Sequence, residues 1–164
     1  MKTSTKVLGT AAVLALTALQ APGGAMATDK GTGGPARGEL VGSVPSDPTV
    51  HGTAPGGLPW VTHKSSSAKL FPDGRLSVKV KRLLFTDGPF VGTPGPVSSV
   101  SASVYCGADA TPAVASTGTV PLSADGDARI DAVVTLPEPC ADPVVLVHPF
   151  NATAFYIALV DLES

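Results

Sequence analysis

Cys106 and Cys140 are the only two cysteines of the chain, and their chemistry depends on whether they pair. Structural zinc takes four ligands in closely spaced pairs, and neither cysteine has another Cys or His within four residues. A catalytic thiol would have to be free, whereas each of these thiols has a partner available. In an exported chain such a pair is typically oxidised. We therefore predict a structural disulfide, which on the loop-closure account stabilises the fold by roughly 4 kcal/mol.

Two other groups of residues have side chains that commonly serve as metal ligands. Copper or zinc could be held by the three histidines, which are His51, His63 and His148. Calcium could be held by the three aspartates of SADGDARID, which are Asp125, Asp127 and Asp131. The histidines are far apart in sequence, and the aspartates lack the spacing and the distal Glu of a calcium loop. We therefore interpret both groups as surface or turn residues and predict no metal and no cofactor.

Catalytic signatures are missing from the chain. It contains no G-x-S-x-G elbow, no H-E-x-x-H pair and no Gly-rich phosphate loop, so we predict no catalytic residue and no enzyme. A small hydrolase assembled from scattered Ser, His and Asp remains an alternative. Asn151 and Thr153 fit a glycosylation acceptor, but the bacterial type of the N-terminal segment argues against its use.

The first thirty residues, MKTSTKVLGTAAVLALTALQAPGGAMATDK, have the three regions of a secretory signal peptide. Two lysines form the charged start, an uncharged apolar run covers residues 7–19, and Ala-Met-Ala at 25–27 supplies the cleavage site. The apolar run is shorter than the roughly 20 residues of a membrane-spanning helix. We therefore predict a signal peptide at 1–27, cleavage after Ala27, a secreted extracellular protein and no membrane span after cleavage.

Removal of the signal leaves 137 residues, enough for one domain with its own core. Residues 28–59 carry Gly or Pro every few positions and have little apolar periodicity. We interpret them as a flexible Gly/Pro-rich leader, with room for one short strand at 39–44. The domain itself is predicted to cover residues 60–164.

Within 60–164, apolar residues recur with the two-residue period of half-buried strands. The segment RLSVKV alternates after a Pro-Asp-Gly hairpin turn, and a bulge or a doubly buried end is expected at Leu83-Leu84. Further strands are predicted in VSSVSASVYC, ARIDAVVTL, PVVLVHPF and AFYIALVDL. The pattern favours an all-β fold, a single antiparallel β-sandwich of Greek-key, immunoglobulin-like or jelly-roll type. The Cys–Trp–Cys order of true immunoglobulin domains is absent, because Trp60 precedes both cysteines.

These segments resemble a group of small secreted β-rich proteins of actinomycetes. The resemblance rests on the PDGRLSVKVK hairpin, the VSSVSASVYC strand and the segment LSADGDARIDAVVTLPEPC before PVVLV, and covers the chain from about Trp60 to its end. It implies secretion, a β-fold and a disulfide. It implies no activity, because none is assigned to that group.

Charge is distributed unevenly along the chain. The mature chain has nine basic and thirteen acidic residues, so its net charge is −4. Six of the basic residues lie between Lys64 and Arg82, whereas from Asp87 onward there are nine acidic residues and one base. We predict that Arg75, Lys79 and Lys81 form an anion-binding face on one side of a strand. The alternative is that this face lies beside Asp127 and Asp131 and is neutralised.

Three classes of function remain, and the first is favoured. It is a secreted non-catalytic module, structural or binding at the cell envelope or in the extracellular space, with an anionic polymer such as teichoic acid or another extracellular protein as partner. The second is an inhibitor of an extracellular enzyme, which would insert the loop LPEPCADP into its target. The third is the small hydrolase or a metalloprotein. Nucleic acid is not a predicted partner, because no aromatic residues interleave with the bases.

Overall fold

The structure, a computed structural model, describes residues 34–108 and 112–163, and within these ranges the chain forms strands and turns without a helix. The strands in chain order are β1 (Ala36–Glu39), β2 (Val41–Gly42), β3 (Ala54–Pro55), β4 (Trp60–Val61), β5 (Ser67–Leu70), β6 (Arg75–Val80), β7 (Leu84–Phe85), β8 (Ser99–Tyr105), β9 (Ala115–Ser116), β10 (Val120–Pro121), β11 (Ala128–Val133), β12 (Val144–Pro149), β13 (Phe155–Tyr156) and β14 (Ala158–Asp161). The predicted signal peptide at 1–27 lies outside the described residues. Within them no helix is long and apolar enough to cross a membrane.

Two antiparallel sheets dominate the fold. The first has four strands in the order β1-β5-β6-β11, and the second has six, in the order β10-β8-β12-β14-β2 with β9 also paired to β8. Two small pairs, β13 with β3 and β4 with β7, complete the ladders of the described residues. The all-β class, the antiparallel strands and the Cys106–Cys140 disulfide are thereby confirmed.

One hydrophobic cluster joins the inner faces of the two large sheets. From the four-stranded sheet it takes Leu76, Val78 and Ile130, and from the six-stranded sheet Val104 and Val147. All five side chains are almost completely buried, and for the four on β6, β8 and β11 this is the outcome of period-2 alternation. At the predicted break, Leu83 and Leu84 are both buried, but β6 ends at Val80 and Leu84 belongs to β7, so they form neither a bulge nor the end of β6.

A second, smaller cluster lies on the opposite face of the six-stranded sheet. Tyr105, Leu146 and Tyr156 form it, with Val50 packed against them. Residues 43–56 and 155–157 cover this face, which also carries the buried polar residues Ser101, Ser103 and His148. The six-stranded sheet is therefore buried on both sides along β8, although a two-residue period is typical of a half-buried strand.

The segment 34–59 differs from the expectation of a flexible leader. Strand β1 pairs along its whole length with β5, and Leu40 is fully buried. Two glycines that made the segment look like a leader, Gly38 and Gly42, are sites of close backbone approach. A Cβ at Gly38 would meet the carbonyl of Asp161, and one at Gly42 would meet the carbonyl of Trp60. The fold therefore extends N-terminally of residue 60, while residues 28–33 lie outside the described ranges.

Candidate functional site

The outer face of the four-stranded sheet is the most strongly charged surface formed by the strands. In β6, Leu76, Val78 and Val80 are buried whereas Arg75 and Lys79 are exposed, as the alternation predicts. No segment of the described chain packs over these side chains as residues 43–56 pack over the other sheet. This face is therefore open to an external partner.

The predicted anion-binding residues differ in their surroundings. Arg75 donates from Nε to Asp73 Oδ2 at 2.7 Å, and its guanidinium lies over the Phe71 ring at 4.3 Å. Lys81 donates from Nζ to Asp127 Oδ2 at 2.6 Å. Among the described residues Lys79 makes no ion pair, hydrogen bond or cation–π contact. Of the three bases, only Lys81 is therefore paired with an aspartate named in the predicted neutralisation, whereas Arg75 pairs with Asp73 and Lys79 with neither.

Bonds to Asp127 show how strongly that neutralisation acts. The Lys81 ammonium and the Arg82 amide both donate to its carboxylate, and these two hydrogen bonds, the lysine first, hold the pKa of Asp127 below its ordinary value. Hydrogen bonds from Arg129, and then Ser77, likewise lower the pKa of Asp131. Both aspartates thus belong to the charge pattern of this face and lie beside the bases.

Strand register lines up three further bases with Lys79 across the sheet. Arg129 lies directly opposite Lys79 on β11, and Arg37 lies directly opposite Lys69 across β1 and β5. Lys69 faces Ser77, two residues from Lys79, so the two lysines are diagonal neighbours. We name these four residues, Arg37, Lys69, Lys79 and Arg129, the basic band. It crosses all four strands, a distance of roughly 14 Å at the usual strand spacing.

Ladder geometry brings Lys79 and Arg129 close together. The Val134 amide donates to the Gly74 carbonyl at 2.8 Å, so these two residues form a hydrogen-bonded pair. Pairs alternate along an antiparallel ladder, and Lys79–Arg129 is five positions further on. It is therefore a non-hydrogen-bonded pair, in which the side chains approach more closely.

Arg37 and Lys69 occupy the same kind of position. The Leu40 amide donates to the Ser66 carbonyl at 3.1 Å, and the Arg37–Lys69 pair is three positions along the ladder from it. It is likewise a non-hydrogen-bonded pair. Like charges directly opposite one another destabilise a sheet. The two like-charged pairs on this exposed face therefore lower the folding stability of the sheet, and because they are exposed they do not offset this loss by packing.

Sequence reasoning missed three of the four residues in the basic band. Lys69 had a usable signal, because a Pro-Asp-Gly hairpin with Phe71 opposite Arg75 places Lys69 opposite Ser77. Arg37 and Arg129 had none. Each lies on a strand that reaches the sheet from a distant part of the chain, so only the strand order reveals them.

A cleft of about 630 Å³ opens at one end of the same sheet. Its walls are mainly apolar and include Leu70, Phe71, Val133 and Leu136, with the carboxylates of Asp73 and Glu138 among the lining residues. Hydrogen bonds from Arg75, its backbone amide first, lower the pKa of Asp73, which keeps this carboxylate charged. The cleft is therefore an apolar recess with an anionic group, in contrast to the basic band.

The three histidines lie in three different environments. The His51 ring stacks on Tyr105 with centroids 4.6 Å apart, and the exposed His63 bonds Ser65 through Nδ1 at 2.9 Å. His148 is fully buried within β12, so its interpretation as a surface or turn residue is wrong, and it donates from Nδ1 to the Phe155 carbonyl at 2.9 Å. Burial lowers the pKa of His148, because the charged imidazolium would lose its hydration. Within 34–108 and 112–163 no three metal-ligating side chains cluster together.

The disulfide joins the end of β8 to the loop that follows β11. Its Cα atoms are 4.8 Å apart, and the predicted pairing of Cys106 with Cys140 is confirmed. Around Cys140, residues 137–139 and 141–142 are exposed. Comparisons with known proteins matched the chain to no family model, no curated protein and no solved structure.

Proposed function

We propose that this chain is a secreted, non-catalytic β-sandwich module that binds anionic polymers of the cell envelope through the basic band. The proposed sandwich is of Greek-key, immunoglobulin-like or jelly-roll type, and its support is the single hydrophobic cluster shared by the two large sheets. Secretion is supported by the signal-peptide pattern at 1–27 and by the disulfide, which oxidising compartments favour. The proposed origin in actinomycetes rests on the resemblance of the hairpin and strand segments.

One observation carries the proposal: four bases lie in a continuous line on an exposed sheet, and the two central lysines are unpaired among the described residues. A row of cations on an exposed face suits a chain of repeated anions, because each contact adds to the next. The net negative charge of the molecule does not prevent this, since a local patch attracts anions over about a Debye length. Phosphate polymers such as teichoic acid have this repeated charge.

The experiment measures binding of the mature protein to purified cell walls that contain teichoic acid, and to the same walls stripped of it. We expect binding to the first preparation only and a steady weakening as salt is raised. In the variant Lys69→Glu, Lys79→Glu binding should fall at least about tenfold, which corresponds to 1.4 kcal/mol. Lys81 is left unchanged because its reversal would oppose Asp127 and disturb the fold.

A matched control separates this band from general charge. Lys64 is exposed in a turn outside the sheet, and Lys64→Glu changes the net charge as much as the single variant Lys79→Glu. We expect Lys64→Glu to bind as the unaltered protein does and Lys79→Glu to bind more weakly. Equal losses in both variants, or retention that ignores salt, would show that the basic band is not the binding surface.

The inhibitor function has one observation in its favour. Residues 137–142 form an exposed loop that the Cys106–Cys140 disulfide fixes to the end of β8. A loop held in a fixed conformation loses little entropy when it enters a target cleft. This candidate predicts inhibition of a secreted protease by the purified protein, and loss of that inhibition in the variant Pro137→Ala, Glu138→Ala with its disulfide intact. A panel of secreted proteases assayed with and without the protein tests it.

A further inference from the structure

Strand β11 forms one edge of the four-stranded sheet. It spans Ala128–Val133 and pairs with β6, and among the described residues no strand pairs with its other side. Arg129, Asp131 and Val133 are all exposed. Val133 is 78% exposed, the highest value among the large apolar side chains of the described chain.

The ladder alternation fixes which backbone groups point outward. Since Val134 bonds Gly74, residues 128, 130 and 132 bond towards β6. Residues 129, 131 and 133 therefore direct their N–H and C=O groups away from the sheet. No described residue bonds these outward groups. They form an open template for one more antiparallel strand.

The other edges of the two large sheets differ from this one. At the opposite side of the same sheet, the Arg37 amide donates to the Glu163 carbonyl at 2.8 Å and the Glu163 amide donates back to the Arg37 carbonyl at 3.0 Å. In the six-stranded sheet the end strands β2 and β10 are two residues long. Within the described ranges β11 is therefore the one long edge strand left open.

We propose that two copies of this chain associate through antiparallel pairing of their β11 strands. In the register that we infer, Ile130 lies opposite Ile130 of the second copy. Arg129 then lies opposite Asp131 of the second copy, and the reverse pair forms symmetrically across the two-fold axis. Opposite charges that face each other across strands stabilise a sheet.

Neighbouring registers are excluded by the same charges. The outward N–H and C=O groups belong to odd-numbered residues, so an odd-numbered residue of one copy can pair only with an odd-numbered residue of the other. The next possible register on either side therefore moves the two-fold axis by one residue. One such shift places Arg129 opposite Arg129 of the second copy, and the other places Asp131 opposite Asp131. Both juxtapose like charges and are destabilising. The sequence Arg-Ile-Asp is thus self-complementary in a single register.

Pairing in this way joins the outer faces of both copies into one eight-stranded surface. The basic bands of the two copies then meet at the two-fold axis, which doubles the number of cations offered on one face. Association itself does not rest on the proposed function, because it is driven by backbone hydrogen bonds and by the Arg129–Asp131 contacts. It is measured without any polymer present.

The experiment is sedimentation equilibrium of the mature protein over a concentration series, with two charge-reversal variants. We expect the unaltered protein to change from monomer to dimer as its concentration rises. Arg129→Asp alone and Asp131→Arg alone should each remain monomeric, because each places like charges opposite one another. An equimolar mixture of the two variants should form a heterodimer, since every opposed pair is then complementary. The Arg129–Asp131 ion pair is exposed and contributes little to folding, so both variants should keep a cooperative thermal transition.

Hydrogen exchange supplies a second readout that needs no variant. In the monomer the amides of Arg129 and Asp131 face solvent and exchange quickly, whereas the dimer protects them. Protection of these amides should therefore increase with protein concentration, while the amide of Ile130 is protected throughout by its bond to β6. A protein that stays monomeric at every concentration, or single variants that dimerise as strongly as the unaltered chain, would overturn the proposal.

Discussion

The outer faces of the two large sheets differ in burial, because one is covered by other residues and the other is exposed to solvent. On the six-stranded sheet, residues 43–56 and 155–157 cover Leu146, Tyr105 and the fully buried His148. On the four-stranded sheet, Lys79 and its neighbours are exposed to solvent. Both sheets place alternate residues on two sides, so the difference arises from what the rest of the chain does. Residues 43–56 cover the outer face of the six-stranded sheet, whereas no described segment covers the outer face of the four-stranded sheet.

This contrast indicates that the covered face contributes to folding stability and that the exposed face is available for binding. Side chains on the covered face are buried, so their replacement should affect folding. Side chains on the bare face are solvated and include like charges held opposite one another, so their replacement should affect binding far more than folding.

Deletion of residues 35–56 should have the largest effect. It removes β1, which is paired along its whole length with β5, and it uncovers Tyr105, Leu146 and Tyr156. We expect the shortened chain to lose its cooperative thermal transition, which calorimetry or circular dichroism measures. A melting temperature close to that of the full chain would mean that residues 35–56 contribute no stability, and would contradict the difference between the two faces.

Tyr156→Ala should lower the free energy of unfolding by about 3–5 kcal/mol, as the loss of a large buried aromatic side chain does. The Tyr156 side chain is fully buried, and its hydroxyl donates to the Pro48 carbonyl at 2.8 Å. The matched change on the bare face is Val133→Ala, for which we expect a change within about 0.5 kcal/mol. Urea titration of both variants gives the two values, and similar losses would contradict the difference between the two faces.

His148 should make folding weaker in mild acid. Burial lowers its pKa in the folded state, so between that value and the ordinary one near 6.5 the unfolded chain binds more protons. Stability is therefore present above about pH 6.5 and is lost as the pH falls towards the folded pKa, by at most about 1.4 kcal/mol per pH unit. His148→Gln should flatten this part of the stability profile.

Lys79→Gln should produce the smallest change, with the opposite sign. Removing one member of the Lys79–Arg129 pair should raise the free energy of unfolding by about 0.2–1 kcal/mol. The gain should shrink as salt is added, because screening weakens the repulsion that is removed. Lys64→Gln serves for comparison and should have no such effect. A loss of stability in Lys79→Gln would show that the lysine contributes to packing rather than to an open binding face.

Sequence patterns predicted the parts of this fold that depend on neighbours along the chain. Alternation in RLSVKV and VSSVSASVYC located β6 and β8, and the paired cysteines located the disulfide. These signals are local, because one buried face is enough to impose a two-residue period. The all-β class followed from several such segments.

Long-range packing was beyond the reach of the same patterns. Ser101 and Ser103 alternate with apolar residues as on a half-buried strand, yet both are buried, and Ser103 hydrogen-bonds Ser116 of the short strand β9. Gly38 and Gly42 read as signs of a flexible leader, whereas they allow two backbones to touch. The basic band needed the strand order as well. A period shows which residues share a face, but not which strands lie side by side.

The disulfide also determines what a single cut in the backbone would do. Cys106 and Cys140 are separated by 34 positions that include β9, β10 and the edge strand β11. A chain cleaved anywhere between these cysteines remains one covalent molecule. Its two pieces keep a high effective concentration for each other and can pair again without a diffusional search. The bridge thus makes the most open edge of the molecule tolerant of nicking, a form of durability that depends on connectivity rather than on the energy of the folded state.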